Sequence, residues 1–181
     1  MLAWMVALIL FFCLVVFVAL TILLLKGVKK INYDTAFVAT FEDRGMDSIE
    51  ESLKAMIAKA NREIIIASPW ITYGAWRRIK WDVAKFVKKG GELKVFLKGN
   101  ADDFARGSSD RSVVDEVIAL GGVVRFVPKL HAKLYVVDRC EALIAAANLS
   151  KSGLDWSYEA GVWSCNPAVV RDVCAFVDTL V

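Results

Sequence analysis

Residues 1–25 carry no charged side chain, and Thr21 is the one hydroxyl among them. As a helix that run extends roughly 37 Å at ~1.5 Å per residue, longer than the ~30 Å hydrocarbon core of a bilayer. A helix buried in a globular domain is rarely apolar on every face for so long. The run has no basic residue before it, exceeds the ~7–15 residue core of a secretory signal, and is followed by no small-x-small cleavage site. It is expected to be a retained transmembrane anchor over 1–25. A basic connector over 26–34 follows, and then a folded domain over 35–181. Lys26, Lys29 and Lys30 flank the span on one side only, which predicts a domain facing the cytoplasm.

Charge narrows the partners. The formal net charge is +3, and all 20 acids lie beyond Lys30, so the three connector lysines account for the whole excess. The domain is balanced, with no global basic footprint for nucleic acid. Cys13, Cys140, Cys165 and Cys174 show no close-paired metal spacing, and they read as plain buried thiols in a reducing compartment.

Beyond the connector, strand-like and helix-like patterns alternate. Ala36 to Phe41 reads as a strand. Asp47 is the expected N-cap of a helix with Glu50 three residues on, its stripe carried by Ile49, Leu53, Met56, Ile57 and Ala60. Ile64 to Ala67 is apolar throughout, as in a strand buried on both faces. Trp70 to Tyr73 is a loop. One helix then follows, with Trp76, Ile79, Val83, Phe86 and Val87 inside and Gly90-Gly91 closing it. Leu93 to Leu97 is a strand, Gly99 to Ser109 a polar loop, Asp110 to Leu120 a helix, and Val123 to Phe126 a strand. Asn166-Pro167 opens a last helix, with a stripe of Val169, Val173, Phe176, Val177 and Leu180. This alternation predicts an α/β layered fold around a mostly buried sheet.

The chemistry concentrates between Leu130 and Glu159. His131 is the only histidine in the chain. Lys133 follows two residues later, in a run read as a strand over Leu130 to Val137, so both side chains project to one face. Asp138 ends that run, Asn148 ends the next apolar run, and Glu159 sits in a third. An imidazole can attack phosphorus or move a proton near neutral pH. Lysine and asparagine both donate to anionic oxygen. A carboxylate can fix the histidine tautomer. Together they make a phosphoryl site that needs no metal and no cofactor. A bare His-x-Lys would more often be a satisfied core histidine beside a surface lysine; the remaining spacing decides against that.

The pattern of His131, Lys133, Asp138, Asn148 and Glu159 resembles the catalytic signature of the phospholipase D superfamily. It resembles the single-motif branch, which includes non-specific endonucleases. Weaker resemblance runs from about Ala36 to the C-terminus. The resemblance implies an α-β-α layered fold with a mixed sheet of about seven strands. It implies that His131 is the nucleophile, that Lys133 and Asn148 hold the phosphate, that Glu159 orients His131 and that Asp138 braces the strand end. It also places the active site at a two-fold contact between two such units. This chain has one unit and one histidine, and a second imidazole is needed to protonate the leaving group, so a homodimer is expected. One departure stands out: Ala145 and Ala146 occupy positions where the family usually has Gly-Ser, which removes one hydroxyl contact to phosphate.

Other residues carry weaker signals. Trp70 and Tyr73, just past a strand end, are placed to line a cleft. Lys129 adds positive charge before His131, and Ser150 follows Asn148, though a surface lysine and a capped turn account for them as well. The basic run from Arg77 to Lys89 is either a solvated helix face or a phosphate track. The expected activity is membrane-anchored phosphodiester hydrolysis through a phosphohistidine, on nucleic acid or on phospholipid. A tethered, non-catalytic binding module is the alternative.

Overall fold

In the computed structural model, which describes residues 34–40 and 48–180, seven strands form one sheet. They are β1 (Thr35–Ala39), β2 (Glu63–Ala67), β3 (Glu92–Leu97), β4 (Val123–Phe126), β5 (Leu134–Val137), β6 (Glu141–Ala145) and β7 (Ala160–Ser164). Their spatial order is β1-β7-β6-β5-β2-β3-β4. β2, β3 and β4 run parallel, and every other pairing is antiparallel. The expected mixed sheet is thus present. The expected span over Met1–Leu25 lies outside the described residues. Among the described residues, no helix is long and apolar enough to cross a membrane.

The helices cover the two faces unequally. α1 (Ile49–Lys59), α2 (Tyr73–Trp76), α3 (Lys80–Lys88) and α5 (Arg111–Ala119) pack on one face, and α4 (Ala101–Ala105) lies in the loop after β3. The larger core joins Leu53, Met56, Trp76, Val83 and Val117 to Ile64, Ile66, Tyr135 and Leu143 of the sheet. The other face is covered by α6 (Pro167–Asp178), whose Val170, Val173, Cys174 and Val177 meet Ile65, Phe96, Leu134 and Val136. Burial of Ile64, Ile65 and Ile66 alternates between the two cores, which explains the uninterrupted apolar run. Each such side chain contributes about 1.5–3 kcal/mol on burial. One row of the α6 side stays partly open to solvent: Phe37 pairs with Val162, and Val162 with Ile144, and Phe37 is 56% and Ile144 37% exposed.

Local chemistry moved several boundaries. Ser48, not Asp47, is the N-cap of α1; its hydroxyl accepts from the Glu51 N–H at 3.1 Å. The helix expected from Trp76 to Val87 is broken into α2 and α3 by a turn at Arg77–Ile79, where the Arg78 and Ile79 amides bond three residues back. The loop from Gly99 to Ser109 contains α4, too short to show a hydrophobic period. The inner stripe of α6 includes Val170 and Cys174, while Phe176 is 46% exposed; Asn166 caps the Ala168 and Val169 amides and sets that phase. Of the three described cysteines only Cys174 is buried, Cys140 being exposed, so the reading of plain buried thiols holds for one of them.

Candidate functional site

Strand directions bring the motif segments to one end of the sheet. Leu134, the first residue of β5, pairs with Ala67 at the end of β2 and with Ile144 near the end of β6. Ala145 pairs with Gly161 near the start of β7. His131–Lys133, Ser68–Thr72, Ala146–Ser150 and Glu159 therefore emerge side by side. The strand starts later than its sequence suggests: His131, Ala132 and Lys133 precede β5. Lys133 is still held in register, since its C=O accepts from the Ala145 N–H at 3.0 Å.

His131 and Lys133 do project together. Lys133 Nζ lies 3.4 Å from His131 Nδ1. His131 is exposed, and Leu130 before it is buried at 3% exposure, so the imidazole stands on a fixed base with its ring in solvent. Asn148 is half-buried, and its Oδ1 is buried without a hydrogen-bond partner. An orphaned acceptor of this kind costs stability, about 1–3 kcal/mol, and the Nδ2 donor on the same amide is the group that could meet an anionic oxygen. Glu159 is clamped by its backbone. Its N–H donates to Thr40 Oγ1 at 3.0 Å and its C=O accepts from the Thr40 N–H at 3.0 Å. No hydrogen bond joins Glu159 to His131 among the described residues; Nδ1 faces Lys133 instead.

The supporting shell contains residues that the sequence did not single out. Ser68 Oγ accepts from the Leu149 N–H at 3.0 Å and donates to the Trp70 C=O at 2.7 Å, tying the β2 exit to the Asn148 segment. Tyr135 is fully buried, and its hydroxyl donates to the Ala147 C=O at 3.1 Å; burial pushes this phenol well above its ordinary pKa. After Ser150 the chain makes a π-helical turn, Ser152–Trp156. Gly153 in that turn lies against Asn148: a Cβ there would come within 2.6 Å of the Asn148 carbonyl oxygen. A lone glycine so far from the His-x-Lys pair gives no sequence signal.

The weaker candidates separate. Trp70 is half-buried at the same sheet end, with Nε1 buried and unpartnered. Tyr73 is 40% exposed. Lys129 is exposed on the approach to His131. Ser150 is buried; its hydroxyl accepts from the Gly153 N–H and bonds Ser152, so it caps the turn and does not face a substrate. Asp138 lies at the opposite end of β5. Its carboxylate accepts from the Asn61, Arg62 and Glu63 amides at 2.7–2.9 Å. Burial raises its pKa, but those amides and the Arg62 charge outweigh burial and hold it below the usual carboxylate range. Among the described residues, no group of three His, Cys, Asp or Glu side chains is placed to hold a metal ion.

Comparison with known proteins gives a family. The family model described as "Cardiolipin synthase, PLD-like domain" matches residues 53–180. No curated protein matches the sequence. Among solved structures, the fold is similar to Nuc from Salmonella typhimurium, a phospholipase D family member. That match has a TM-score of 0.67 at 16% identity, covering 81% of this chain and 92% of Nuc. It is also similar to NucT from Helicobacter pylori, with a TM-score of 0.56 at 16% identity over 72% of this chain and 85% of that one. Phosphatidylserine synthase from Haemophilus influenzae is similar over 80% of this chain but 37% of its own, with a TM-score of 0.59 at 15% identity. With its motif at one end of a shared fold and most of its length matched by the family model, the chain belongs to the phospholipase D superfamily of PLD-like domains.

Proposed function

We propose that this protein is a membrane-anchored phosphodiesterase that works through a phosphohistidine on His131. The observation that carries the reading is the His131–Lys133 pair, 3.4 Å apart, at the sheet end that also holds the half-buried Asn148 side chain. The substrate phosphodiester is nucleic acid or phospholipid. The anchor is the uncharged run over 1–25, and the lysines after it favour a cytoplasmic domain.

The geometry suggests an order of events. With Lys133 beside Nδ1, the neutral ring keeps its proton on Nε2 and is a poor nucleophile there. A bound phosphodiester draws Lys133 Nζ onto a non-bridging oxygen, and Asn148 donates to a second. Nδ1 then takes the proton and presents it to Glu159, which leaves the Nε2 lone pair free to attack phosphorus. A P–N bond forms and the P–O bond to the leaving group breaks. The leaving oxygen takes its proton from the partner subunit's His131. That imidazole then removes a proton from water as the water attacks the phosphohistidine, restoring both rings. Lys133 and Asn148 supply stabilisation of developing negative charge, typically ~10²–10³-fold per donor.

A partner is required because the chain holds one histidine and the ring is exposed on an open sheet end. The solvent-facing row of Phe37, Val162 and Ile144 offers apolar surface for a second copy. Mixed dimers test the shared site. A purified wild-type/His131→Ala heterodimer is expected to turn over far below half the wild-type rate. Half the rate would show each subunit working alone and would overturn the two-histidine mechanism. No turnover by the wild-type homodimer on any phosphodiester would favour the non-catalytic binding module, for which Ala145 and Ala146 are the supporting departure.

A further inference from the structure

Between Asn148 and Glu159 the chain turns outward and presents Trp156, 67% exposed. Lys151 Nζ sits 4.7 Å from the centre of its ring. The stem of Lys151 lies along Gly74 of α2, beside Tyr73. Lys80 Nζ in turn lies 5.0 Å from the Tyr73 ring centre and 5.5 Å from that of Trp81, and Trp81 is 72% exposed. Two clusters, Trp156–Lys151 and Tyr73–Lys80–Trp81, thus follow one another as a ladder, with the Lys151 stem at Gly74, the residue after Tyr73, between them. The ladder starts on the segment that follows Asn148. Neither exposed indole belongs to the core, where Trp76 is fully buried and Trp163 packs against it.

We propose that this ladder binds unpaired bases of single-stranded nucleic acid, as a track feeding the His131 site. The inference rests on the phosphodiesterase reading of that site. Each lysine occupies one side of its ring, and the exposure of both indoles leaves a face for a base to stack on. Base–aromatic stacking contributes ~1–3 kcal/mol per base. Charge argues for single strands over duplex. Duplex binding draws mainly on phosphate neutralisation, and the domain carries equal numbers of acids and bases. Lys80 shares its charge with Glu116 at 3.3 Å, so it organises the two rings around it. Lys151 pairs with no carboxylate among the described residues and is the cation available to a phosphate. The number of rings argues against a lipid: a lipid headgroup presents one or two phosphodiesters and no base, while successive exposed rings suit a polymer of repeating bases.

The test uses the full chain in detergent, on a His131→Ala background so that nothing is cleaved. Tryptophan fluorescence is followed during titration with oligothymidylate, with a duplex of equal length, and with phosphatidylglycerol added to the detergent as mixed micelles. Oligothymidylate is expected to bind more tightly than duplex. Trp156→Ala and Trp81→Ala are each expected to weaken it about tenfold, with unchanged melting midpoints. Trp156→Phe is expected to restore most of the loss, because a ring is what the base needs. Lys151→Ala is expected to weaken binding and flatten its salt dependence. Equal affinity for single strand and duplex would overturn the proposal, as would oligothymidylate binding that ignores both tryptophan changes. A response to phosphatidylglycerol that falls with those changes while oligothymidylate binding stays constant would replace the track with a lipid-facing patch. Turnover of bis(p-nitrophenyl) phosphate, compared between wild type and His131→Ala, reads the catalytic site separately from the track.

Discussion

At the end of the sheet where β5 finishes, charged groups are knitted to one another; at the end where it starts, paired groups such as Ser68 and Tyr135 stand beside three buried polar atoms that have no partner among the described residues. The first end centres on a tight turn. Asp138 and Arg139 both hold left-handed backbone, with φ of 53° and 55°, and the Cys140 N–H donates back to the Val137 C=O at 2.9 Å. Two non-glycine residues in that region cost of order 1–3 kcal/mol each. The offset is visible: Asp138 takes three backbone amides, and Arg139 bonds both Glu63 and Asp178, with Lys94 also on Glu63. At the opposite end, the buried side-chain atoms without a partner among the described residues are Trp70 Nε1, Asp103 Oδ2 and Asn148 Oδ1, all on loops that leave the sheet there. The contrast separates what folds the chain from what it is folded for. Polar groups at the first end are spent on each other, while at the second end Trp70 Nε1, Asp103 Oδ2 and Asn148 Oδ1 are left open at a cost in stability.

If that division is right, changes at the two ends fail differently. The largest expected effect is His131→Ala, which removes the chain's only imidazole: turnover of any phosphodiester disappears, while the urea midpoint barely moves because the ring is exposed. Surface changes of this kind are usually within about 0.5 kcal/mol. Residual turnover within tenfold of wild type would place the nucleophile elsewhere. Lys133→Met is next, with an expected loss of ~10²–10³-fold in kcat and little change in stability. A loss confined to KM would mean that Lys133 only captures substrate.

Asp138→Ala should do the reverse. Three amides and a left-handed turn lose their acceptor, and the expected cost is about 2–3 kcal/mol, read as a lowered urea midpoint, with kcat of the folded fraction unchanged. The pH dependence has a definite sign. The folded pKa of Asp138 lies below its ordinary value, so its contribution is complete above about pH 4, near the unfolded carboxylate value. It is lost as pH falls through the lower folded value. The stability gap between wild type and Asp138→Ala should therefore be wide at pH 7 and narrower at pH 3. A gap that widens in acid would show that the carboxylate does not carry the turn.

Much of this was legible in the sequence, for a physical reason. The strands of the sheet interior are apolar on both faces, so Ile64 to Ala67 and Leu134 to Val137 declare themselves by composition. His131, Lys133, Asn148 and Glu159 are readable because the antiparallel hairpin converts fixed spacing into one shared sheet end. What escaped depends on space and not on pattern. The Ser68 hydroxyl works 81 residues from its Leu149 partner. Thr40 clamps Glu159 across a separation of 119. The break between α2 and α3 leaves the apolar spacing through Trp76, Ile79 and Val83 intact, so periodicity could not reveal it. The Nδ1–Lys133 contact was not legible either, because a rotamer decides whether the ring meets a lysine or a carboxylate.

Gly153 gives the smallest expected effect and the sharpest view of the boundary between the two roles. It sits at the end that carries His131 and Asn148, and it carries no side chain to lose. A methyl there would lie 2.6 Å from the Asn148 carbonyl oxygen, 2.9 Å from its nitrogen and 3.3 Å from Ser150 Oγ. The first two are backbone atoms, which cannot swing aside as a flexible side chain would. The π-helical turn or the Asn148 segment has to shift by several tenths of an ångström. The turn is capped by Ser150, and the segment is held by Ser68 and by the Tyr135 hydroxyl, so the strain divides between them. Overpacking of this kind costs about 1–3 kcal/mol, and the exposed residues on either side, Ser152 and Trp156, leave the turn room to relax toward the low end. A displaced Asn148 amide meets the phosphoryl oxygen off its best geometry, where a shift of about 1 Å can cost up to 10²-fold. Gly153→Ala should therefore lower kcat by about tenfold with a stability loss near 1 kcal/mol, measured as single-turnover cleavage beside a urea titration. A variant as active as wild type but clearly less stable would assign Gly153 to the fold alone, and would detach the turn from the positioning of Asn148.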